Sequence, residues 1–310
     1  MSARFGGIYA ATVCPLDDVG RVDEPRLAEH LLRIAAVDGV QGFLVNGHAG
    51  ENFTLNRDEK RQLLAVARRT LGDVPIVAGI NAEATEWAVA EAVDAAATGA
   101  DAVMIFPPFS WALSQDAPLI LAHHEAVAEA TDVPLFLYQA PVGAGAMAYR
   151  PALLQELVRL PSVVGIKEGS WETAAYEANR RLVHALRPDV AVMASGDEHL
   201  FACFAIGSEG SLVSLAALIP QTIVALERAV AAGDLDAARA LNDRIAPLAR
   251  AIYGAPPGGR ATARLKHCLA RLGHLPNAVM RRPMAALDAT ERERLDAALD
   301  VGGFFGGAAP

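Results

Sequence analysis

Cysteine is scarce in this chain. The three present, Cys14, Cys203 and Cys268, lie far apart and form no C-x-x-C pair. That spacing excludes a disulfide scaffold and a cysteine-based zinc site, and it suits a reducing compartment. Aromatic residues make up only 6%. The core must therefore come from alanine, leucine and valine, which suit helices packed closely on a parallel sheet. No apolar run reaches the ~18 residues of a membrane span, and the start, M-S-A-R-F-G-G, carries no apolar signal core. The expected location is the cytoplasm, with no membrane partner. Basic runs are absent and the formal net charge is -9, which argues against a nucleic-acid partner. No G-x-G-x-x-G follows the first predicted strand, so the dinucleotide fingerprint of a doubly wound sheet is missing. A metal site around His48 would need partner ligands that the sequence does not offer, and no metal is expected.

What the chain does have is alternation. Short β-branched or apolar runs predict strands over residues 7–13, 42–46, 75–79, 101–106, 134–138, 163–167, 190–195 and 210–214. Between them the periodicity predicts helices over 24–36, 56–71, 83–99, 118–131, 151–160, 171–186 and 199–206. After Pro220 the pattern changes to helices alone, over 221–232, 234–253, 260–271 and 290–300. The expected fold class is α/β: a (β/α)8 TIM barrel over residues 1–220, with a C-terminal helical region over 221–310 packed on it. A doubly wound open sheet is the structural alternative. The end, G-G-F-F-G-G-A-A-P, reads as a loose tail whose phenylalanines dock on a neighbour.

Barrel active sites lie at the C-terminal ends of the strands. Two residues there are chemically unusual, Lys167 after V-V-G-I and Tyr138 after P-L-F-L. A buried ammonium is costly unless it is paired or loses its proton. An amine with a depressed pKa can attack a carbonyl and form a Schiff base. Taken alone, the segment fits better a strand-end lysine that reaches solvent and pairs with Glu168. Tyr138, on the preceding strand, can relay protons to and from an imine; its plainer reading is an amphipathic aromatic at the core's edge. G-H-A-G-E at 47–51 is a glycine-flanked turn whose backbone N–H groups can hold a carboxylate. It also reads as an ordinary turn in which Glu51 caps or pairs structurally.

Four segments resemble the dihydrodipicolinate synthase / N-acetylneuraminate lyase family of class I, pyruvate-dependent lyases. They are G-H-A-G-E at 47–51 against the family's G-T-T-G-E, Y-Q-A-P at 138–141 against Y-N-x-P, G-I-K-E-G-S at 165–170 against G-x-K-(D/E)-x-S, and G-S-E-G-S-L-V-S at 207–214. The likeness runs in order from about residue 7 to residue 284. It implies a homotetrameric barrel lyase that needs no cofactor beyond a covalent imine on Lys167. It further implies that Tyr138 relays protons, that the amides of His48 and Ala49 bind the 2-oxo acid carboxylate, and that the Leu212 backbone lines the site.

Three positions depart from the family pattern. His48 stands where the proton-relaying threonine is usual. Ser110, in P-P-F-S, lies where the synthases donate a tyrosine to a neighbouring subunit. Gly143 replaces the arginine that holds the aldehyde substrate's carboxylate. Losing that cation disfavours a second carboxylate at this spot. The function expected is a class I aldolase or dehydratase acting on pyruvate or a 2-oxo acid, such as a 2-keto-3-deoxy sugar acid. The alternatives are 4-hydroxy-tetrahydrodipicolinate synthase, condensing pyruvate with aspartate semialdehyde, and a non-catalytic 2-oxo acid binding protein.

Overall fold

The computed structural model describes residues 5–113 and 116–305. Its strands are β1 (Gly7–Ala11), β2 (Val40–Val45), β3 (Ile76–Ile80), β4 (Ala102–Ile105), β5 (Leu135–Gln139), β6 (Val163–Glu168), β7 (Ala191–Ala194) and β8 (Gly210–Val213). They pair in sequence order, all parallel, and β8 returns to β1 to close a barrel. Closure rules out the open-sheet alternative. Seven helices follow the first seven strands: α1 (Glu24–Ala35), α2 (Arg57–Leu71), α3 (Thr85–Ala97), α4 (Ala117–Glu129), α5 (Pro151–Val158), α6 (Thr173–Leu186) and α7 (Leu200–Ile206). After β8 come α8 (Leu215–Leu218), α9 (Pro220–Ala231), α10 (Leu235–Ile252), α11 (Ala261–Arg271) and α12 (Ala289–Val301). The (β/α)8 barrel with a C-terminal helical region is thus the observed architecture.

Local chemistry explains where the elements begin. Asn56 caps α2: its side chain accepts the Glu59 N–H at 3.0 Å, and the Glu59 carboxylate accepts the Asn56 N–H at 2.9 Å. This reciprocal pairing satisfies two donors that the first turn leaves free. Both faces of the parallel strands are covered, so they read as continuous apolar runs rather than alternating ones.

Side chains still alternate in direction along each strand. Met104 of β4, Phe136 and Tyr138 of β5, Met193 of β7 and Leu212 of β8 turn into the barrel. Val103, Leu135, Leu137, Val192 and Val213 turn outward into a larger core under the helices. Gly165 of β6 has a packing reason to be glycine: a Cβ there would come within 2.3 Å of the Phe136 ring. That ring fills the layer beneath Lys167, and truncating such a buried phenylalanine costs about 3–5 kcal/mol.

The helices beyond β8 do two jobs. α9 lies against β1 and α7, while α10, α11 and α12 pack on one another. α11 also touches the short turn that follows β2. The chain's end is held by its own side chains: Phe304 stacks on Arg244 at 5.4 Å and Phe305 on Arg271 at 5.6 Å. Residues 306–310 of the expected tail lie outside the described residues. Among the described residues no helix is long and apolar enough to cross a membrane.

Candidate active site

β6 sets the direction of Lys167. In a strand, neighbours face opposite ways, so Lys167 turns into the barrel with its register partners Tyr138 and Met193. Glu168 turns outward, where its carboxylate accepts the Ser170 hydroxyl at 2.9 Å and the Asn179 side-chain amide at 2.8 Å. The plain strand-end pair between Lys167 and Glu168 therefore does not form. Among the described residues no carboxylate lies within ion-pair distance of the Lys167 Nζ. The amine sits 5.7 Å from the Tyr138 ring centroid and 6.0 Å from that of Phe106. Burial pushes its pKa down to about 8, with the Asp197 carboxylate pulling weakly the other way. About a tenth of the amine is then unprotonated at pH 7, against well under a thousandth for an ordinary lysine.

The Tyr138 phenol is fully enclosed, and burial, with the charges of Glu168 and Asp197, raises its pKa. It holds its proton at every pH the enzyme meets, so it can donate one. Asp197, just beyond β7, is a second buried acid. Its Oδ1 accepts the Leu215 N–H at 2.9 Å. Burial raises its pKa to about 6, against the Leu215 bond and the Lys167 charge. The Tyr253 phenol, at the end of α10, meets the Ser214 hydroxyl at 2.6 Å, and burial, with the Asp197 charge, raises its pKa.

The G-H-A-G-E segment forms a tight 3₁₀ turn, His48–Gly50, beside the lysine. The turn's own bonds run from the Gly50 N–H to Gly47 O at 3.0 Å, from Glu51 to His48 O at 3.0 Å and from Asn52 to Gly47 O at 3.3 Å. The N–H groups of His48 and Ala49 take no part in them. The His48 ring lies 4.2 Å from the Phe106 ring and 5.4 Å from the Tyr138 ring, centroid to centroid. Burial, reinforced by the Lys167 charge, lowers the His48 pKa to about 3, so the imidazole is neutral. Its Nε2 is buried and has no hydrogen-bond partner among the described residues.

The turn is anchored from the far end of the chain. Glu51, held at φ +60°, forms a buried ion pair with Lys266 of α11. Lys266 also donates to Val279 O at 2.8 Å. The Glu51 carboxylate accepts the Arg281 N–H at 3.3 Å, and the Thr262 hydroxyl donates to His48 O at 3.4 Å. Pairing, one of the two plain readings of Glu51, is thus what the structure shows.

Leu212 is buried inside the barrel. Ser110 and Gly143 occupy exposed 3₁₀ turns, Phe109–Ala112 and Val142–Met147, that pack against each other. Glu83 fixes the first of these turns by accepting the N–H groups of Phe109 at 2.9 Å and Ser110 at 3.0 Å. Neither Ser110 nor Gly143 hydrogen-bonds Lys167, Tyr138 or His48. The geometry thus gathers Lys167, Tyr138 and the His48–Ala49 turn, with Ser110 and Gly143 on exposed turns. Three participants escaped the sequence reading: Phe106, Tyr253 and Lys266. Only Phe106 had a usable signal, since the inward alternation Ala102, Met104, Phe106 continues to the mouth.

The Dihydrodipicolinate synthetase family model matches residues 4–301. The 4-hydroxy-tetrahydrodipicolinate synthase of Bifidobacterium longum (strain DJO10A) is 30% identical over 305 residues, 98% of this chain and 97% of that one. The protein of the same name from Nitrobacter hamburgensis is 31% identical over 277 residues, 89% and 90% of the two chains. Among solved structures, the chloride-inhibited dihydrodipicolinate synthase of Acinetobacter baumannii, complexed with pyruvate, superposes with a TM-score of 0.84 at 26% identity, covering 96% of this chain and 99% of that one. The Agrobacterium tumefaciens dihydrodipicolinate synthase gives 0.83 at 28% identity, covering 96% and 98%. Four short segments pointed to this assignment and the whole length supports it: the chain belongs to the dihydrodipicolinate synthetase family.

Proposed function

We propose that this chain is a class I, Schiff-base-forming lyase, an aldolase or dehydratase, acting on pyruvate or a larger 2-oxo acid. The observation that carries the reading is Lys167: buried, facing the barrel mouth, without a carboxylate partner, and with its pKa lowered to about 8. The unprotonated amine attacks the C2 carbonyl, and loss of water gives an imine. The imine draws electrons from C3, so a C3–C4 bond can break or a C4 hydroxyl can leave as water. Tyr138 supplies and recovers the protons. The amides of His48 and Ala49 hold the carboxylate, the Leu212 backbone lines the site, and His48 with the Ser110 and Gly143 turns faces the rest of the substrate. The imine is the electron sink, so the reaction needs neither metal nor organic cofactor. Family likeness also supports a homotetramer in the cytoplasm; a monomer mass by light scattering would reject the tetramer.

Borohydride reduction in the presence of pyruvate, read by intact mass, tests the chemistry. The expected result is a single adduct that Lys167→Ala abolishes. An adduct that survives this substitution overturns the reading. The synthase reaction itself is the second reading, supported by the names of relatives at about 30% identity. It is opposed by His48, Ser110 and Gly143 at the three positions that usually serve aspartate semialdehyde. Turnover in a coupled reductase assay would establish it. A non-catalytic binder would take up pyruvate without covalent trapping.

A further inference from the structure

Among the described residues Asn46, Glu51 and Trp171 are the non-glycine residues with positive φ, and Trp171, at +62°, is the bulky one. A side chain of that size is strained in the left-handed region, where glycine is at ease. Such strain persists only where the surroundings over-determine it. They do so here. One residue earlier, the Ser170 N–H and hydroxyl both donate to the Glu168 carboxylate, at 3.3 Å and 2.9 Å. The Ser170 carbonyl accepts the Val142 N–H at 3.0 Å. Two residues later α6 begins at Thr173. The chain is pinned on both sides, and the turn falls on Trp171.

The segment spans the mouth from β5 to β7. At Gly169 the backbone passes Tyr138 so closely that a Cβ would stand 3.3 Å from the ring and 3.5 Å from the phenol oxygen. At Trp171 it lies over the junction of β7 with α7, where a Cβ on Gly196 would be 3.8 Å from the Trp171 Cα. Gly196 directly precedes Asp197. The indole then meets the Tyr253 ring at 5.3 Å between centroids, tilted by 53°. The Tyr253 phenol in turn meets the Ser214 hydroxyl at 2.6 Å. One stack thus joins the loop after β6, the end of β8 and the end of α10 on a single side of the mouth. Asp197, between these strand ends, is 4% exposed.

Resting on the Schiff-base reading above, we propose that Trp171 is a positioning residue: its indole holds Tyr253 and Ser214 as a closed wall on the β7–β8 side of the mouth, and that wall keeps water from the Lys167 amine and the Asp197 carboxylate. No bond of the lysine chemistry passes through Trp171; it acts through the surroundings of the amine. Tyr138 of β5, His48 from the turn after β2, Asp197 after β7 and Tyr253 of α10 are the titratable groups around Lys167, and Glu168 on its own strand faces outward. Burial keeps both phenols protonated and the imidazole neutral, so Asp197 alone is charged where Lys167 titrates. Opening the wall hydrates the amine, which favours the ammonium. It also hydrates the carboxylate, which stays ionised and favours the ammonium again. Both effects move the free amine to higher pH.

The test follows borohydride trapping of pyruvate on Lys167 against pH, read by intact mass on the purified full-length protein, with urea unfolding and light scattering on the same samples. Trp171→Gly removes ring and strain together, Trp171→Ala removes the ring and keeps the strain, and Trp171→Phe keeps a ring. The Gly and Ala variants are expected to raise the trapping midpoint by about half to one pH unit, which slows trapping at neutral pH about three- to tenfold. The Gly variant is expected to unfold at higher urea than the Ala variant, and Trp171→Phe to restore the midpoint. Tyr253→Leu opens the stack from its other side and is expected to give the same shift, with no further shift in the double variant. If Trp171→Gly does not fold, Tyr253→Leu decides alone. An unmoved or lowered midpoint overturns the proposal and leaves the lysine chemistry standing. So does a Gly variant less stable than the Ala variant, which would make the indole plain packing, or a shift that appears only with a changed mass by light scattering, which would assign it to a contact between copies. No trapping in the unaltered protein overturns both the proposal and the reading beneath it.

Discussion

Lys167 and Lys266 are both buried, 9% and 1% exposed, and they behave as opposites because of what surrounds them. Lys266 meets the Glu51 carboxylate and a backbone carbonyl, so its charge is compensated where it sits. Lys60 follows the same pattern, with Glu91 at 2.5 Å and Asn81 O at 3.0 Å. Lys167 has rings for neighbours, and burial costs it part of its affinity for the proton. A buried amine with a partner is an anchor, and one without is a nucleophile in waiting. The two are linked in space, since the carboxylate that Lys266 pairs belongs to the turn beside Lys167.

Removing each lysine separates the two roles most sharply. Lys167→Met is expected to abolish pyruvate trapping altogether while leaving stability equal or higher, because it replaces an uncompensated amine with an apolar chain of similar length. Thermal unfolding and intact mass on the same sample check both halves. Lys266→Met is expected to do the reverse. It strands the Glu51 charge and costs about 3–5 kcal/mol in urea unfolding. The double variant Lys266→Met/Glu51→Leu is expected to recover most of that loss. A Lys167→Met that unfolds, or a harmless Lys266→Met, would break the comparison.

Tyr138→Phe keeps the ring packing and removes the proton. The expected loss in kcat is about 10²–10⁴-fold, with unfolding unchanged in urea to within about 1 kcal/mol. A stability loss as large as that of Lys266→Met would move Tyr138 from the chemistry to the scaffold.

The two lysines also show what was legible before the structure. The barrel was readable because strand and helix periods repeat locally, and Lys167 because it ends a β-branched run. Tyr138 followed from its place on the neighbouring strand. Lys266 was not readable: it sits in the helical stretch T-A-R-L-K-H-C-L like any surface lysine, and its partner is 215 residues away. Tyr253 was hidden in the same way, since its link to Asp197 joins a helix end to a strand end across a long stretch of chain. Local patterns show which face of an element is apolar, but they do not show which distant group meets a charge. The His48 ring was noticed as a substitution, yet its neutrality comes from burial against Phe106 and Tyr138, which only packing reveals.

The pH dependence extends the contrast. The reactive form of Lys167 is the free amine, and its fraction rises as pH passes about 8. The rate of borohydride trapping at saturating pyruvate is expected to climb about tenfold per pH unit below that point and to level off above it. A midpoint near the ordinary lysine value would mean that the amine is solvated and paired, as Lys266 is paired.

The smallest expected effect isolates the one charge that steadies the Lys167 proton. Asp197 titrates near 6, so across the range where Lys167 titrates it is negative and favours the ammonium form. Asp197→Asn removes that charge but keeps an oxygen able to accept the Leu215 N–H, so the junction of β7 with α8 is retained. With the negative charge gone, the ammonium is harder to hold. The trapping midpoint is then expected to move to lower pH, raising the rate at neutral pH and leaving the high-pH plateau in place. A midpoint that stays put would show Asp197 to be screened from Lys167. A midpoint that moves up would require another group to be charging the site, and the uncompensated lysine would no longer differ in kind from the compensated one.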